Sequence, residues 1–245
     1  MKALIGVVTH GKHRFCLDEF QDSIEKQTIK ADHLFVVNNG EKAYVTLLKS
    51  RNLNAVENPN PSKTRLDHII SGRNYIRDYA IKNGYDYVFF VDSDVIVPPG
   101  ALYVLESVKA DVVSGLYLSG FNLDGKNVIA PTLFKDLGGG NCQLYTYESV
   151  AFPLVMEIGA AGLGCTLAKT DVLKKVKFRS FRPDATGGED MAFYVDAREK
   201  GFKTLAHTGV KCVHRVFPKE NHNSKLYEWT TKNVEKSGHD LVLPK

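Results

Sequence analysis

No apolar run in the sequence approaches the roughly 18 residues of a membrane span, and the first such run, Ala3 to Val8, is too short for the hydrophobic centre of a signal peptide. The chain therefore reads as soluble and cytoplasmic, with peripheral contact to a membrane left open. Cysteine is scarce: Cys16, Cys142, Cys165 and Cys212 lie far apart and form no C-x-x-C pair. That spacing suggests neither a structural zinc site nor a dense disulfide framework, and fits reduced, mostly buried thiols. Charge of one sign is also lacking. Thirty-two basic against twenty-eight acidic side chains leave +4, dispersed without a run or stripe, which argues against nucleic acid as a partner. Neither G-x-G-x-x-G nor G-x-x-x-x-G-K-[ST] occurs, so dinucleotide-binding dehydrogenases and P-loop enzymes are excluded as readings. Internal repeats and low-complexity segments are absent as well.

What remains is a chain of 245 residues, 43% hydrophobic and 24% charged, enough for a substantial core in one large domain or two small ones. Ala3 to Val8 predicts a buried strand that empties into the loop Thr9-His10-Gly11. Phe15, Phe20 and Ile24 then recur at helical spacing, and His33 to Gly40 predicts a second buried strand. Asn54 to Glu57 reads as a short third strand, Thr64 to about Asn83 as a helix, and Tyr85 to Asp94 as the most apolar strand of all, with acids at its carboxyl end. Strands alternating with helices predict a mostly parallel sheet covered on both faces, whose ligands bind beyond the carboxyl ends of its strands. After the strand Asp111 to Leu116 the texture becomes hairpin-like, around Leu123 to Asn127 and around Gly138, Gly139 and Gly140. Helices are expected at Val172 to Val176 and Asp190 to Lys200, with Gly201 as C-cap, and a late strand at Val210 to His214.

Several residues could carry chemistry. Asp92 and Asp94 flank Ser93 at a strand end, where residues i and i+2 point the same way, so both carboxylates can face one site. Hard oxygen ligands of this kind suit Mg²⁺ or Mn²⁺, with substrate phosphates completing the shell. Arg73 falls within the apolar arc of its helix, beside Leu66, Ile69, Ile70, Ile76 and Ala80, and either snorkels to solvent or pairs with an acid. Glu189 and Asp190 follow the pair Gly187-Gly188 at the first turn of a helix; they serve the helix N-terminus, or act as substrate ligand and general base. His214, at the end of a strand, becomes interesting as a nitrogen ligand that could complete the coordination begun by the aspartates.

In order and separation, the β-α-β opening, the D-x-D after an apolar strand, the G-x-G of Gly162-Leu163-Gly164, the GGED before a helix and the late histidine resemble GT-A glycosyltransferases, the family-2-like group above all. The resemblance implies a GT-A-type, Rossmann-like α/β/α sandwich with a mixed acceptor-side half. The single domain would span residues 1–217, with a nucleotide-binding half to about 116 and an acceptor half over 117–217, and 218–245 would form a helical tail. It further implies a metal-dependent transfer from a UDP- or GDP-linked sugar to a carbohydrate or other hydroxyl acceptor. Thr9, His10, Asn38, Arg73, Asp92 and Ser93 would hold the donor, with Asn74 beside Arg73. Gly162, Gly164 and Glu189 would meet the acceptor. Asp92, Asp94 and His214 would hold Mn²⁺ or Mg²⁺, with Asp190 as base and Glu189 beside it. Thr186 stands where related transferases often carry an aromatic.

Two rivals carry other chemistry. VFFVDSDVIV also fits the opening of haloacid-dehalogenase-type phosphatases, in which Asp92 would be the nucleophile, although some eighty residues of β-α-β precede it here. A non-catalytic sugar- or nucleotide-binding module is the other, because fold does not fix function.

Overall fold

A computed structural model describes residues 1–60, 64–123, 125–138, 141–181, 188–229 and 241–242. In chain order the first part builds β1 (Ala3–Thr9), a 3₁₀ turn (Gly11–Cys16), α1 (Leu17–Glu25), β2 (Asp32–Val37), α2 (Lys42–Ser50) and β3 (Ala55–Glu57). Next come α3 (Arg65–Lys82), β4 (Tyr87–Val91), β5 (Val95–Ile96), α4 (Ala101–Ser107) and β6 (Val112–Leu116). Hairpin strands β7 (Leu118–Leu123), β8 (Lys126–Pro131), β9 (Leu133–Gly138) and β10 (Asn141–Leu144) follow. The chain then forms β11 (Val155–Glu157), β12 (Ala160–Ala161), β13 (Cys165–Lys169), α5 (Thr170–Lys175), α6 (Glu189–Glu199), β14 (Thr204–Lys211), β15 (Val213–His214) and β16 (Leu241–Val242).

Eight strands make the central sheet, in the order β11-β14-β6-β13-β4-β1-β2-β3. All run one way except β13 and β11, which pair antiparallel with their neighbours. Strands buried on both faces should split their side chains between two cores, and they do. Ile5, Val7, Phe35, Val37, Phe89 and Val91 pack with α1, α2 and α4, while Leu4, Leu34, Val36, Val88 and Phe90 pack with α3, α5 and α6. Burying a large apolar side chain in such a layer stabilises the fold by about 1.5–3 kcal/mol.

Local rules account for the helices. Thr64 caps α3 by accepting from Asp67 N, and Asp67 returns the bond to the Thr64 backbone, the reciprocal pair that satisfies two otherwise orphaned amides. In α1 the apolar face is Leu17, Phe20 and Ile24; Phe15, expected on it, sits in the preceding 3₁₀ turn and is exposed. Gly201, at φ +79°, follows the last turn of α6 as expected of a residue that must adopt a left-handed backbone.

Other expectations are corrected. The strand foreseen over Val210 to His214 is two elements: β14, which begins at Thr204, and β15, which leaves the main sheet to pair with β5. The expected helical tail contains, among its described residues, a 3₁₀ turn at His222–Tyr227 and the strand β16, which pairs with β8. The hairpin expected at Leu123 to Asn127 is the β7–β8 turn, with Asp124 outside the described residues, as are Gly139, Gly140 and Thr186.

Candidate active site

Parallel pairing brings the ends of β2, β1 and β4 to one edge, with Thr9 level with Val37 and Gly6 level with Phe90. The chain turns away from the sheet just past these ends, which places Thr9, His10, Asn38, Asp92, Ser93 and Asp94 around a cleft of about 240 Å³. From α3, Arg65, Ile69 and Arg73 join the lining, spaced four residues apart along one helix face. Glu189, Tyr117, Ser119, His13 and His214 complete it with Val8.

Arg73 is the centre of the arrangement. It is buried, and it pairs with acids rather than snorkelling: Nε donates to Glu189 Oε1 at 2.9 Å and one Nη to Asp92 Oδ1 at 2.8 Å. Burial opposes its charge, but the two carboxylates outweigh burial and hold its pKa above the ordinary value. The other terminal nitrogen, Nη1, is buried without a partner. A buried, unpaired guanidinium nitrogen is costly to keep, and in a cleft-lining residue it is a group ready to meet a ligand. Asn74, beside it, is committed elsewhere. Its amide donates to Phe178 O and its carbonyl accepts from Phe178 N, stapling the segment that follows α5. Arg77, one turn on, donates to Leu173 O and Val176 O at the end of α5.

Asp94 occupies the second centre. The pairing of β15 with β5 sets His214 opposite Val95, and Arg215 N donates to Asp94 O at 2.7 Å, so the late histidine is delivered beside the aspartate. His214 Nε2 lies 3.4 Å from Asp94 Oδ2, and His13 Nε2 lies 3.5 Å from the same oxygen. Burial would raise the Asp94 pKa, yet the hydrogen bond and charge of His214, with His13, hold it below the ordinary value. His13 also meets Ser93 Oγ through Nδ1 at 2.7 Å.

Asp94 and His214 are groups of the kind that could contribute two ligands to a hard divalent cation. His214 Nδ1 lies 2.9 Å from Leu118 O, an acceptor only, so Nδ1 carries a proton; Nε2 donates to Asp94 Oδ2 in the protonated ring and, in the neutral ring, presents a lone pair toward that carboxylate. Two acceptors face each other there, and a proton or a cation between them satisfies both. Among the described residues no three His, Cys, Asp or Glu side chains form a full ligand set. An ion held here would therefore draw its remaining ligands from a bound substrate, as Mg²⁺ and Mn²⁺ commonly do.

The acidic pair at the start of α6 is divided in its bonding. Glu189 is the buried partner of Arg73. Asp190 has no ion pair among the described residues; its Oδ1 accepts from Met191 N at 2.7 Å. Burial, and then the neighbouring Glu189 charge, push the Asp190 carboxyl up to about 7. It is not in the cleft lining, although its neighbour Glu189 is. A carboxylate with that proton affinity is suited to accept a proton near neutral pH.

Gly162 and Gly164 are brought to the site but do not line the cleft. A Cβ at Gly162 would overlap the Tyr117 hydroxyl, and one at Gly164 would lie 2.8 Å from Tyr117 Cε1 and 2.9 Å from Asp92 Oδ2. The missing side chains let Tyr117 and Asp92 close on the turn between β12 and β13 that carries the two glycines. Tyr117, Ser119, His13 and Arg65 were not foreseen from the sequence. Arg65 and His13 had a legible cue, since Arg65 is four residues from Ile69 and eight from Arg73, and His13 sits in the loop directly after β1.

No protein-family model matches the chain, and no curated protein matches its sequence. Among solved structures the chain is similar to A197 from STIV, with 19% identity over 89% of this chain and 87% of that one, at a TM-score of 0.52. It is also similar to S. aureus TarS 1-349 in complex with UDP-GlcNAc, with 17% identity over 93% of this chain and 62% of that one, at a TM-score of 0.55. In the TarS complex with UDP the identity is 18% over 86% of this chain and 59% of that one, at a TM-score of 0.53. The chain thus spans less than two thirds of the length of the TarS structures. At these identities the likeness shows a shared fold. The expected α/β class with a central, mostly parallel sheet is the fold observed, and the likeness supports its GT-A-like form. Among the described residues no helix is long and apolar enough to cross a membrane.

Proposed function

We propose that the protein transfers a sugar from a UDP- or GDP-linked donor to a carbohydrate or other hydroxyl acceptor, with inversion at the anomeric carbon. The observation that carries this reading is the meeting of Asp92, Asp94, Arg73, Glu189 and His214 at one cleft on the carboxyl edge of the sheet, with the raised carboxyl of Asp190 next in the chain to Glu189. The likeness to structures that hold UDP and UDP-GlcNAc supports the choice of donor class.

In this reading Thr9, His10 and Asn38, at the ends of β1 and β2, receive the nucleoside against the apolar wall of Val8 and Ile69. Arg65 and the unpartnered Nη1 of Arg73 meet the negative charge of the diphosphate. Asp94 and His214 would hold Mn²⁺ or Mg²⁺ together with oxygens of the substrate, Asp92, the expected third ligand, being paired with Arg73; when bound the ion neutralises charge on the departing diphosphate. As the bond from the anomeric carbon to the diphosphate oxygen breaks, the acceptor oxygen attacks from the opposite face and its proton passes to Asp190. Glu189 is committed to Arg73 and does not act as the base; its proximity helps raise the Asp190 carboxyl. Glu189 lines the cleft, where the expected contact with the acceptor remains part of the proposal.

The phosphatase rival needs Asp92 free as a nucleophile, whereas Asp92 is paired with Arg73 at the end of the fourth strand of the chain. Incubation with a panel of nucleotide sugars and Mn²⁺ should release nucleoside diphosphate for at least one donor. Release from none, with phosphate monoesters hydrolysed and a phosphoryl group trapped on Asp92, would sink the transferase assignment.

A further inference from the structure

A second cavity, larger than the cleft, lies away from the chemistry. It measures about 500 Å³, against about 240 Å³ for the cleft, and is walled by the hairpin layer: Phe121 and Leu123 of β7, Phe134 of β9, Gln143 of β10, and Tyr145 and Glu148 beyond it. Packed interiors leave few voids larger than a water molecule, so this space is not a gap within a satellite core.

Strand β7 joins the two cavities. Ser119 lines the cleft, while Phe121 and Leu123, two and four residues on, line the second cavity. Residues i, i+2 and i+4 of a strand share a face at about 6.6 Å per pair of steps. One continuous strand face therefore leads out of the cleft into the groove over roughly 13 Å.

The groove wall combines half-exposed aromatic rings with hydrogen-bonding groups. Phe121 and Phe134 meet edge to face with centroids 5.9 Å apart, and the Tyr145 hydroxyl donates to Glu157 O at 3.4 Å, so the rings are held in place rather than free to collapse. Gln143, Thr146 and Glu148 supply an amide, a hydroxyl and a carboxylate on the same wall. A sugar ring presents an apolar C–H face and a rim of hydroxyls, which matches flat rings and polar groups in alternation. An acyl chain would leave the polar groups of the wall without partners.

We infer that this groove binds a saccharide chain whose end reaches the cleft along β7, so that the acceptor is an oligosaccharide rather than a lone small alcohol. The assignment of the chain as acceptor rests on the transferase reading; the affinity of the groove for saccharide does not.

The test is binding of the full-length protein to a printed array of oligosaccharides of several linkage types and to vesicles of phosphatidylcholine with phosphatidylglycerol, with UDP titrated separately. At least one oligosaccharide should bind better than its monosaccharide. Phe121→Ala and Tyr145→Ala should each weaken that binding by about three- to tenfold, the scale of one aromatic contact, with UDP affinity unchanged. Gln143→Ala, at an exposed site with little risk to folding, should weaken it as well. Cys142 lines the groove and is part-exposed while the other three thiols are buried, so bound saccharide should slow its alkylation by iodoacetamide. Absence of glycan binding, binding to vesicles alone, or glycan binding indifferent to all three substitutions would overturn the groove. Glycan binding with these dependences in a protein that binds neither UDP nor any nucleotide sugar would leave the groove standing and remove the transferase reading.

Discussion

The part of the chain up to Leu116 and the hairpin layer after it solve different problems. In the first, strands buried on both faces leave the backbone little freedom, and the residues just past their carboxyl ends arrive at one edge with fixed mutual positions. In the second, β7 to β10 pair in hairpins whose outer residues are exposed, and the cavity they enclose is about twice the size of the cleft. Charged and titratable side chains gather at the sheet edge, while aromatic, aliphatic and mostly uncharged groups line the hairpin cavity. The difference teaches that the chemical step should tolerate almost no change at the sheet edge, while the hairpin layer should tolerate much.

The sharpest way to break that contrast is at the two centres of the cleft. Chelation with EDTA should abolish transfer, and restoring Mn²⁺ or Mg²⁺ should return it; Asp94→Ala should lose both turnover and metal-dependent donor binding. Full activity in chelator, measured as released nucleoside diphosphate, would remove the metal from the site. Arg73→Met should be almost as damaging, but through stability. Two acids built around one guanidinium lose their counter-charge, and breaking such a buried pair costs about 3–5 kcal/mol. A shift in the denaturant midpoint equivalent to less than about 1 kcal/mol would show that the acids find another partner.

Asp190 sharpens the comparison by pH. Its pKa is raised in the folded protein, from 3.8 to about 7, so the protonated form is favoured by folding. That contribution to stability is fully present below about pH 4 and is lost as pH climbs toward 7 and beyond. The base needs the ionised form, so kcat should rise over the upper part of the same interval in which this contribution falls. Asp190→Asn should cost about 10² to 10⁴-fold in kcat, leave donor affinity near that of the unaltered protein, and remove this pH-dependent loss of stability. A kcat change below about tenfold would move the base elsewhere.

The smallest effect belongs to the hairpin layer. Asn122 donates to Asn127 Oδ1 at 3.0 Å and accepts from Gly125 N at 3.2 Å across the β7–β8 turn, all exposed. Asn122→Ala should lower stability by no more than about 1 kcal/mol and leave turnover unchanged. A loss of turnover would mean that the turn supports the cleft and that the two regions are not separable.

Much of the first region was legible because its rules are local. Continuous apolar runs, the Thr64–Asp67 cap and a glycine at positive φ all act within a few residues, and the start of α3 follows from the cap. The convergence of Asp92, Asp94, Glu189 and His214 on one site was legible only through motif order, since the contacts join residues about a hundred apart. What escaped was whatever depends on strand insertion. β13 runs antiparallel between β4 and β6, and no periodicity in Cys165–Lys169 distinguishes a reversed strand from a forward one. Tyr117 escaped for a related reason: it sits between β6 and β7, and only the side-chain-free surfaces of Gly162 and Gly164 reveal why a large phenol fits there. Glu189 was read as a companion of the base because the letters do not show which of two neighbouring acids Arg73 will take.

The insertion of β13 also has a consequence during synthesis. β4 and β6 leave the ribosome with no partner between them, and the strand that fills the gap emerges about fifty residues after β6 ends. At translation rates of about 5–20 residues per second, two apolar strand edges wait for several seconds before they can be paired. Those edges are YVFFV and VVSGL, which are among the most adhesive segments of the chain. Nascent chains stalled just short of Cys165 should therefore recruit holding chaperones that chains stalled beyond Lys169 release.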